Sequence, residues 1–127
     1  MNKDYKLRVL NKNTLTKFLP DLKFNDKVSL SPAHKSDVIR LCLLKDYGGI
    51  WIDVTTVFFH DLSWVQKKIT DYPYDLIVFF RMVSTQDFNR PVIENWFLSA
   101  PPNTMSLIDW LMEFLPISDF VSSLTGQ

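Results

Sequence analysis

The feature that most constrains the fold is a helix signal that runs directly into a strand signal. Ser31-Pro32 is typical of a helix start, with either Ser31 or Ser36 as the capping residue, and an apolar-rich segment follows it to Tyr47. Gly48-Gly49 then ends the helix, and Ile50-Trp51-Ile52-Asp53-Val54 follows at once as an apolar strand. Because the connection is so short, we expect the helix to fold back and pack on the sheet that holds this strand.

The rest of the chain indicates further strands and helices. The segment Leu76–Phe80 is apolar throughout, which is typical of a central strand that is covered on both faces. The other predicted elements are a strand over 5–10, a helix over 62–70, a strand or short helix over 92–100, and a helix over 104–115. Strands that alternate with helices predict an α/β fold with a mostly parallel sheet flanked by helices. No linker or repeat interrupts the chain, so we expect residues 1–127 to form a single domain.

Composition excludes several classes of protein. The chain has 14 Lys and Arg and 14 Asp and Glu, which argues against a nucleic-acid-binding protein because such proteins carry a basic excess. Its single cysteine, Cys42, excludes an internal disulfide framework and a cysteine-rich zinc site. Cys42 lies among leucines, which favours a buried, unreactive side chain over a nucleophile.

No segment of the sequence predicts a membrane span. No apolar run is long enough to cross a bilayer, and the charged start lacks the apolar core of a signal peptide. We therefore expect a cytoplasmic protein without a transmembrane segment, one that could still lie at a membrane surface.

Three charged residues are candidates for a functional site. Asp37 and Arg40 are three positions apart and so share one helix face; they could form a surface ion pair or part of a binding site. Asp53 follows the apolar strand at its carboxyl end, where open α/β sheets bind ligands, although it could also cap a turn. A carboxylate there is costly to bury unless a cation, a hydroxyl or an amide meets it.

Aromatic and polar residues near these positions allow two interpretations each. Tyr47, Trp51 and Trp96 could stack on a sugar ring or a base, but core packing is the more common role of such side chains. The polar pair Glu94-Asn95 interrupts an apolar segment and therefore needs partners, either in a ligand or in a loop.

The helix-to-strand segment resembles a known site. Its pattern is Ser-Asp-x-x-Arg-x-x-x-Leu-x-x-x-Gly-Gly-x-Trp-x-Asp, at residues 36–53. It is similar to the sugar-nucleotide site of the DXD-containing glycosyltransferases, which include mannosyltransferase-like enzymes and glucosylating toxins. The variant Gly-Gly-Ile-Trp-Ile-Asp-Val-Thr most resembles the capsular polysaccharide synthesis proteins.

The resemblance implies a GT-A, Rossmann-like fold and a donor site made of Asp37, Arg40, Gly49, Asp53 and Thr55. In such enzymes the DXD motif holds Mn²⁺ or Mg²⁺, and Asp53 is the implied metal ligand. Thr55 stands where the second acid of the motif normally lies. A neutral hydroxyl is a poor ligand for a hard cation, so Asp53 or the donor's diphosphate would have to hold the ion.

The implied function is transfer of a hexosyl group from a nucleoside diphosphate sugar to a glycan acceptor in capsular or surface polysaccharide synthesis. The resemblance assigns no catalytic residue. Family members usually begin upstream of the first strand predicted here and continue beyond residue 127, so we expect a short or truncated member with an incomplete GT-A domain. The alternative is a catalytically degenerate remnant that binds a glycan or a partner subunit.

Overall fold

A computed structural model of the chain describes residues 4–118 and 120–121. Its helices are α1 (Lys12–Phe18), α2 (Pro32–Tyr47), α3 (Ser63–Asp71) and α4 (Met105–Ser118), with a short 3₁₀ turn at Met82–Ser84. Its strands are β1 (Lys23–Phe24), β2 (Gly49–Ile52), β3 (Ile77–Phe80), β4 (Ile93–Ala100) and β5 (Phe120–Val121). The predicted helices are therefore present, and the ambiguous segment 92–100 is a strand.

The main sheet has the order β2-β4-β3, and both of its strand pairs are antiparallel. The prediction of a mostly parallel sheet is therefore wrong for this part of the chain. Strands β2 and β3 do lie in one sheet and point the same way, but β4 lies between them and runs in the opposite direction. The physical reason is burial: Phe97–Ala100 of β4 are buried, so β4 is the central strand, whereas β2 and β3 are half-buried edges.

Two hydrophobic clusters lie on opposite faces of this sheet. Because side chains alternate along a strand, Leu98 and Phe97 of β4 face opposite ways. Leu98 belongs to the cluster formed with α2 and α4, whose buried members include Val38, Leu41, Leu107 and Leu111. Phe97 packs with Leu62 and Val65 at the start of α3. The sheet is thus covered by helices on both faces.

Helix α2 begins after Ser31, one of the two capping residues that the sequence allows, and it ends where the sequence predicts. The Ser31 hydroxyl accepts a hydrogen bond from the backbone N–H of His34 at 3.2 Å, and Pro32 occupies the first helical position, where a backbone N–H is not needed. At the other end, the N–H of Gly48 donates to the carbonyl of Leu44 at 2.7 Å. Gly48 has φ of +65° and ψ of −172°, a conformation that only glycine adopts without strain. The chain therefore reverses at Gly48 and enters β2 immediately.

Residues 5–10 do not form the predicted strand. Their alternating pattern leaves Leu7 and Val9 exposed, and no strand of the described residues pairs with this segment. A strand requires a neighbour that satisfies its backbone groups, and alternation alone does not supply one. The segment is instead anchored by Tyr5, whose hydroxyl donates to the carbonyl of Leu62 at 3.3 Å.

Candidate functional site

The centre of the candidate site is the side chain of Arg40 on α2. Only 6% of this side chain is exposed. Its Nη1 lies 3.2 Å from Oδ1 of Asp53, and its Nη2 lies 3.3 Å from Oδ1 of Asp37. The guanidinium also lies over the ring of Trp51, 5.2 Å from its centroid. A buried arginine therefore joins the two carboxylates that the sequence singles out, and the pair Asp37–Arg40 is not a surface ion pair.

Asp53 is placed by the strand ladder that precedes it. Its backbone N–H donates to the carbonyl of Trp96 at 2.9 Å, which extends the β2–β4 pairing by one residue. Its Oδ1 accepts hydrogen bonds from Nε1 of Trp51 at 2.7 Å and from Nη1 of Arg40. The turn that follows uses the backbone carbonyl of Asp53, which accepts from Thr56. The side-chain carboxylate of Asp53 therefore contacts Arg40 and Trp51, and it is the backbone of Asp53 that forms the turn.

Asp37 is held by a residue from β4. Nδ2 of Asn95 donates to Oδ1 of Asp37 at 2.7 Å, and the backbone carbonyl of Asn95 accepts from Nη1 of Arg40. The β3–β4 register shifts here: Val78 pairs with Leu98, but the next residue of β3, Phe79, pairs with Glu94. Three β4 residues thus bulge out of the ladder, and such bulges commonly re-aim side chains beside functional sites. The bulge is what brings Asn95 to α2.

Each carboxylate keeps one oxygen available. In the described residues, Oδ1 of Asp37 and Oδ1 of Asp53 make the contacts given above, and Oδ2 of each side chain accepts no hydrogen bond. The side chains are 23% and 33% exposed, respectively. The cluster carries two negative charges and one positive charge, so it is suited to accept hydrogen bonds from hydroxyl groups or to meet a cation.

Two of the five predicted donor-site residues lie outside this cluster. Gly49 pairs with Ala100 at the start of β2, four residues before Asp53 and so about 13 Å away along an extended chain. Thr55 lies in the exposed turn two residues after Asp53. The role of all five residues in donor binding stays a prediction.

The sequence alone leaves the roles of Asn95 and the aromatic residues open. The polar interruption of the apolar segment 92–100 was the available signal for Asn95, and its partner proves to be Asp37. Trp51 contacts Arg40 and Asp53, whereas Trp96 stacks on Phe79 with ring centroids 4.9 Å apart. Tyr47 lies elsewhere: its hydroxyl donates to the carbonyl of Phe18 at 2.7 Å.

The residues present do not form a cation site by themselves. Across residues 4–118 and 120–121, no group of three or more His, Cys, Asp or Glu side chains is arranged to hold a metal ion. Near Asp53, the exposed Thr55 offers only a neutral hydroxyl. A metal ion here would need oxygen ligands from a bound molecule.

Comparison with known proteins gives a consistent result. The family described as "Capsular polysaccharide synthesis protein" matches residues 1–117. The chain is 30% identical over 118 residues to O-glycosyltransferase braB of Annulohypoxylon truncatum, which is 86% of this chain and 26% of that protein. It is 29% identical over 97 residues to glycosyltransferase afumC of Aspergillus fumigatus (strain CBS 144.89 / FGSC A1163 / CEA10), which is 74% of this chain and 24% of that protein.

The chain therefore spans about a quarter of the length of these two relatives. No solved structure matches it. Within the described part of the chain, none of the helices has the length and apolar character needed to cross a membrane. The family match covers nearly all of the sequence and includes α2, β2 and β4, which carry the charged cluster. The chain belongs to the capsular polysaccharide synthesis protein family.

Proposed function

We propose that this chain is part of a glycosyltransferase that moves a hexosyl group from a nucleoside diphosphate sugar to a glycan acceptor, in capsular or surface polysaccharide synthesis. The family match and the two relatives named glycosyltransferases support the enzyme class. The observation that carries the proposal is the cluster itself: Arg40 holds Asp37 and Asp53 together while each aspartate keeps an oxygen available.

Sugar hydroxyl groups are suitable ligands for this cluster. A carboxylate oxygen accepts an O–H strongly, and a hydrogen bond to a charged group contributes about 1.5–3 kcal/mol. Because Asp37 and Asp53 are already oriented by protein contacts, donor binding would not have to order them. We propose that Asp37, Arg40 and Asp53 form the core of the donor site and that Thr55 flanks it. The proposal also includes Gly49 at the far end of β2 and a GT-A arrangement for the complete domain.

A divalent cation belongs to the proposal as a cofactor that the donor helps to bind. Asp53 would supply one oxygen to Mn²⁺ or Mg²⁺, and the diphosphate would supply others. When bound, such an ion neutralises charge on the departing nucleoside diphosphate.

Titration with Mn²⁺ tests this cofactor proposal. We expect weak Mn²⁺ binding by the protein alone and tighter binding when a nucleoside diphosphate is present. The variant Thr55→Asp should bind Mn²⁺ better without nucleotide, because it adds an anionic oxygen two residues after Asp53. Ser29→Asp adds the same charge in an exposed loop outside the cluster and is the control. Equal affinities for the two variants would contradict a metal role for this turn.

Donor hydrolysis is the direct test of the enzyme class. Purified protein is incubated with UDP-glucose and with GDP-mannose, with and without Mn²⁺, and release of the nucleoside diphosphate is measured. We expect release by the wild-type protein and its loss in Asp37→Asn/Asp53→Asn. The variant Asp75→Asn changes an exposed carboxylate outside the cluster and should behave as wild type.

A second candidate function is a non-enzymatic module that binds a glycan or a partner subunit. One observation favours it: the neutral Thr55 stands two residues after Asp53, where the second acid of a metal-binding motif would lie. Binding of nucleotide sugar without any hydrolysis, in a protein that is well folded, would favour this function over the enzyme.

A further inference from the structure

Arg40 has almost no hydrogen-bonding capacity left for a ligand. An arginine side chain carries five N–H groups. Four of them donate within the described protein: Nε to the Ser36 carbonyl at 3.3 Å, Nη2 to the Ser36 hydroxyl at 3.0 Å, and Nη1 both to Asp53 and to the Asn95 carbonyl. The remaining N–H is on Nη2, and that nitrogen lies 3.3 Å from Oδ1 of Asp37.

The faces and edges of the guanidinium are also covered. Trp51 lies against it, and only 6% of the Arg40 side chain is exposed. The two carboxylates, by contrast, are 23% and 33% exposed. A ligand that approaches the cluster therefore meets carboxylate oxygens before it meets the arginine.

From this geometry we infer that Arg40 is a positioning residue, which orients Asp37 and Asp53 and does not itself contact the sugar or the phosphates of the donor. The inference deepens the proposed function and rests on it for the ligand. It also predicts which part of the donor the cluster meets. Four of the five arginine N–H groups donate within the protein, and the nitrogen of the fifth forms an ion pair with Asp37. With a net charge of −1 as well, the cluster favours hydroxyl groups and disfavours a bare phosphate.

A lysine cannot replace Arg40 in this role. Lysine has three donors on a single nitrogen and lacks the planar fork that spans two carboxylates. In the variant Arg40→Lys, the positive charge remains but Asp37 and Asp53 lose their common partner. We therefore expect Arg40→Lys to behave like the carboxylate variants.

The first experiment needs no ligand. Nuclear magnetic resonance of the arginine side chains is recorded on the full chain, with Arg81→Lys to help the assignment, because Arg81 is largely exposed. We expect separate, slowly exchanging Nη–H signals for Arg40 and averaged signals for Arg81. Averaged, rapidly exchanging signals for Arg40 would overturn the inference.

The second experiment compares two kinds of ligand for each variant, nucleotide sugars and free nucleotides. Calorimetry with Mn²⁺ present measures the binding of UDP-glucose and GDP-mannose, and of UDP and GDP, to the wild type, Arg40→Lys, Asp37→Asn and Asp53→Asn. We expect Arg40→Lys to lose about tenfold in affinity for the nucleotide sugar. For the nucleotide sugars and for the free nucleotides alike, the loss of affinity in Arg40→Lys should parallel the loss in Asp37→Asn and Asp53→Asn. Arg81→Lys should bind all these ligands as the wild type does.

If Arg40 contacted a phosphate of the donor directly, the calorimetry would give a different result. Arg40→Lys would then weaken the binding of UDP or GDP while Asp37→Asn and Asp53→Asn left it unchanged, and that outcome would overturn the inference. Failure of the wild-type protein to bind any nucleotide sugar would contradict the proposed function instead. The resonance experiment would then decide the positioning role of Arg40 by itself.

Discussion

Asn95 shows how much one side chain contributes to the arrangement of the candidate site. Its amide donates to Oδ1 of Asp37, and its backbone carbonyl accepts from Arg40. It therefore adds a polar contact between the central strand and α2 to the apolar packing of Leu98. A buried or half-buried carboxylate without such a donor would lose a charge-assisted hydrogen bond.

Replacing this amide by a carboxylate tests that role. In the variant Asn95→Asp, a third negative charge would enter the cluster, at the place where the amide now donates to Asp37 at 2.7 Å. Loss of the bond and like-charge repulsion should lower the free energy of unfolding by about 1–3 kcal/mol and weaken nucleotide-sugar binding. Chemical denaturation and calorimetry measure the two effects. Asn89→Asp, in an exposed loop, makes the same chemical change and should leave both values near wild type.

Cys42 provides a second prediction at the residue scale. Burial raises the pKa of its thiol to about 12. In the unfolded chain a cysteine has a pKa of about 8.5. The folded state therefore binds the thiol proton more tightly than the unfolded chain does. The contribution of this proton to the free energy of unfolding is fully present below about pH 8.5 and is lost as the pH rises toward 12.

The corresponding measurement compares the wild type with Cys42→Ala by urea denaturation at several pH values. The free energy of unfolding of the wild type should fall more steeply above pH 8.5 than that of Cys42→Ala, because only the wild type has this thiol. Native protein at pH 8 should also resist thiol alkylation and react once urea unfolds it. Rapid alkylation of the native protein would contradict the buried placement of Cys42.

At the scale of elements, the junction of α2 and β2 depends on two adjacent glycines. A Cβ on Gly48 would lie 2.6 Å from Cδ of Pro102 and 2.7 Å from its backbone nitrogen. A Cβ on Gly49 would have no atom within 4 Å, although its φ of +106° also disfavours other residues. An alanine at either position would therefore strain the backbone, and an alanine at position 48 would also clash with Pro102.

This difference predicts an order of stabilities. Gly49→Ala should lower the free energy of unfolding by about 1–3 kcal/mol through backbone strain. Gly48→Ala should lower it further, because the clash with Pro102 forces the helix-to-strand reversal to open. Denaturation midpoints of the two variants make the comparison. A Gly48→Ala variant at least as stable as Gly49→Ala would show that the approach of Pro102 is not required.

Local signals predict the helices of the chain and the strands of the main sheet, but they do not predict how the strands pair. The bounds of α2 follow from Ser31-Pro32 and Gly48-Gly49, which act within the segment itself. The position of β4 between β2 and β3 depends on pairing between residues about 50 positions apart, such as Trp51 and Leu98, and nothing near either residue encodes it. The predicted parallel sheet came from sequence order alone.

The sequence indicates the three charged residues of the candidate site because a local connection brings them together. Asp37, Arg40 and Asp53 lie on α2 and just after β2, which the short Gly48-Gly49 connection forces together. Asn95 comes from a bulge in β4, and the bulge depends on the register that β4 adopts against β3, which no residue next to Asn95 sets. The sequence could therefore indicate the three charged residues, whereas it could not indicate how the amide reaches them.

At the scale of the whole molecule, β4 joins the two hydrophobic clusters. Phe97 and Leu98 are both fully buried, one in each cluster. The helix that carries Asp37 and Arg40 packs on the Leu98 side. The geometry of the site therefore depends on the packing of the central strand.

Leu98→Ala tests this dependence. Leu98 is 0% exposed and lies between Trp51 of β2 and Val78 of β3 in the register. Truncation in such a core lowers the free energy of unfolding by about 2–5 kcal/mol, a large part of the roughly 5–15 kcal/mol that a domain possesses. Val83→Ala, at a side chain that is 96% exposed, should change it by less than about 0.5 kcal/mol. Urea denaturation should show a lower midpoint for Leu98→Ala with a similar slope. Equal midpoints for the two variants would contradict the central position of β4, and with it the packing that holds α2 over the end of β2.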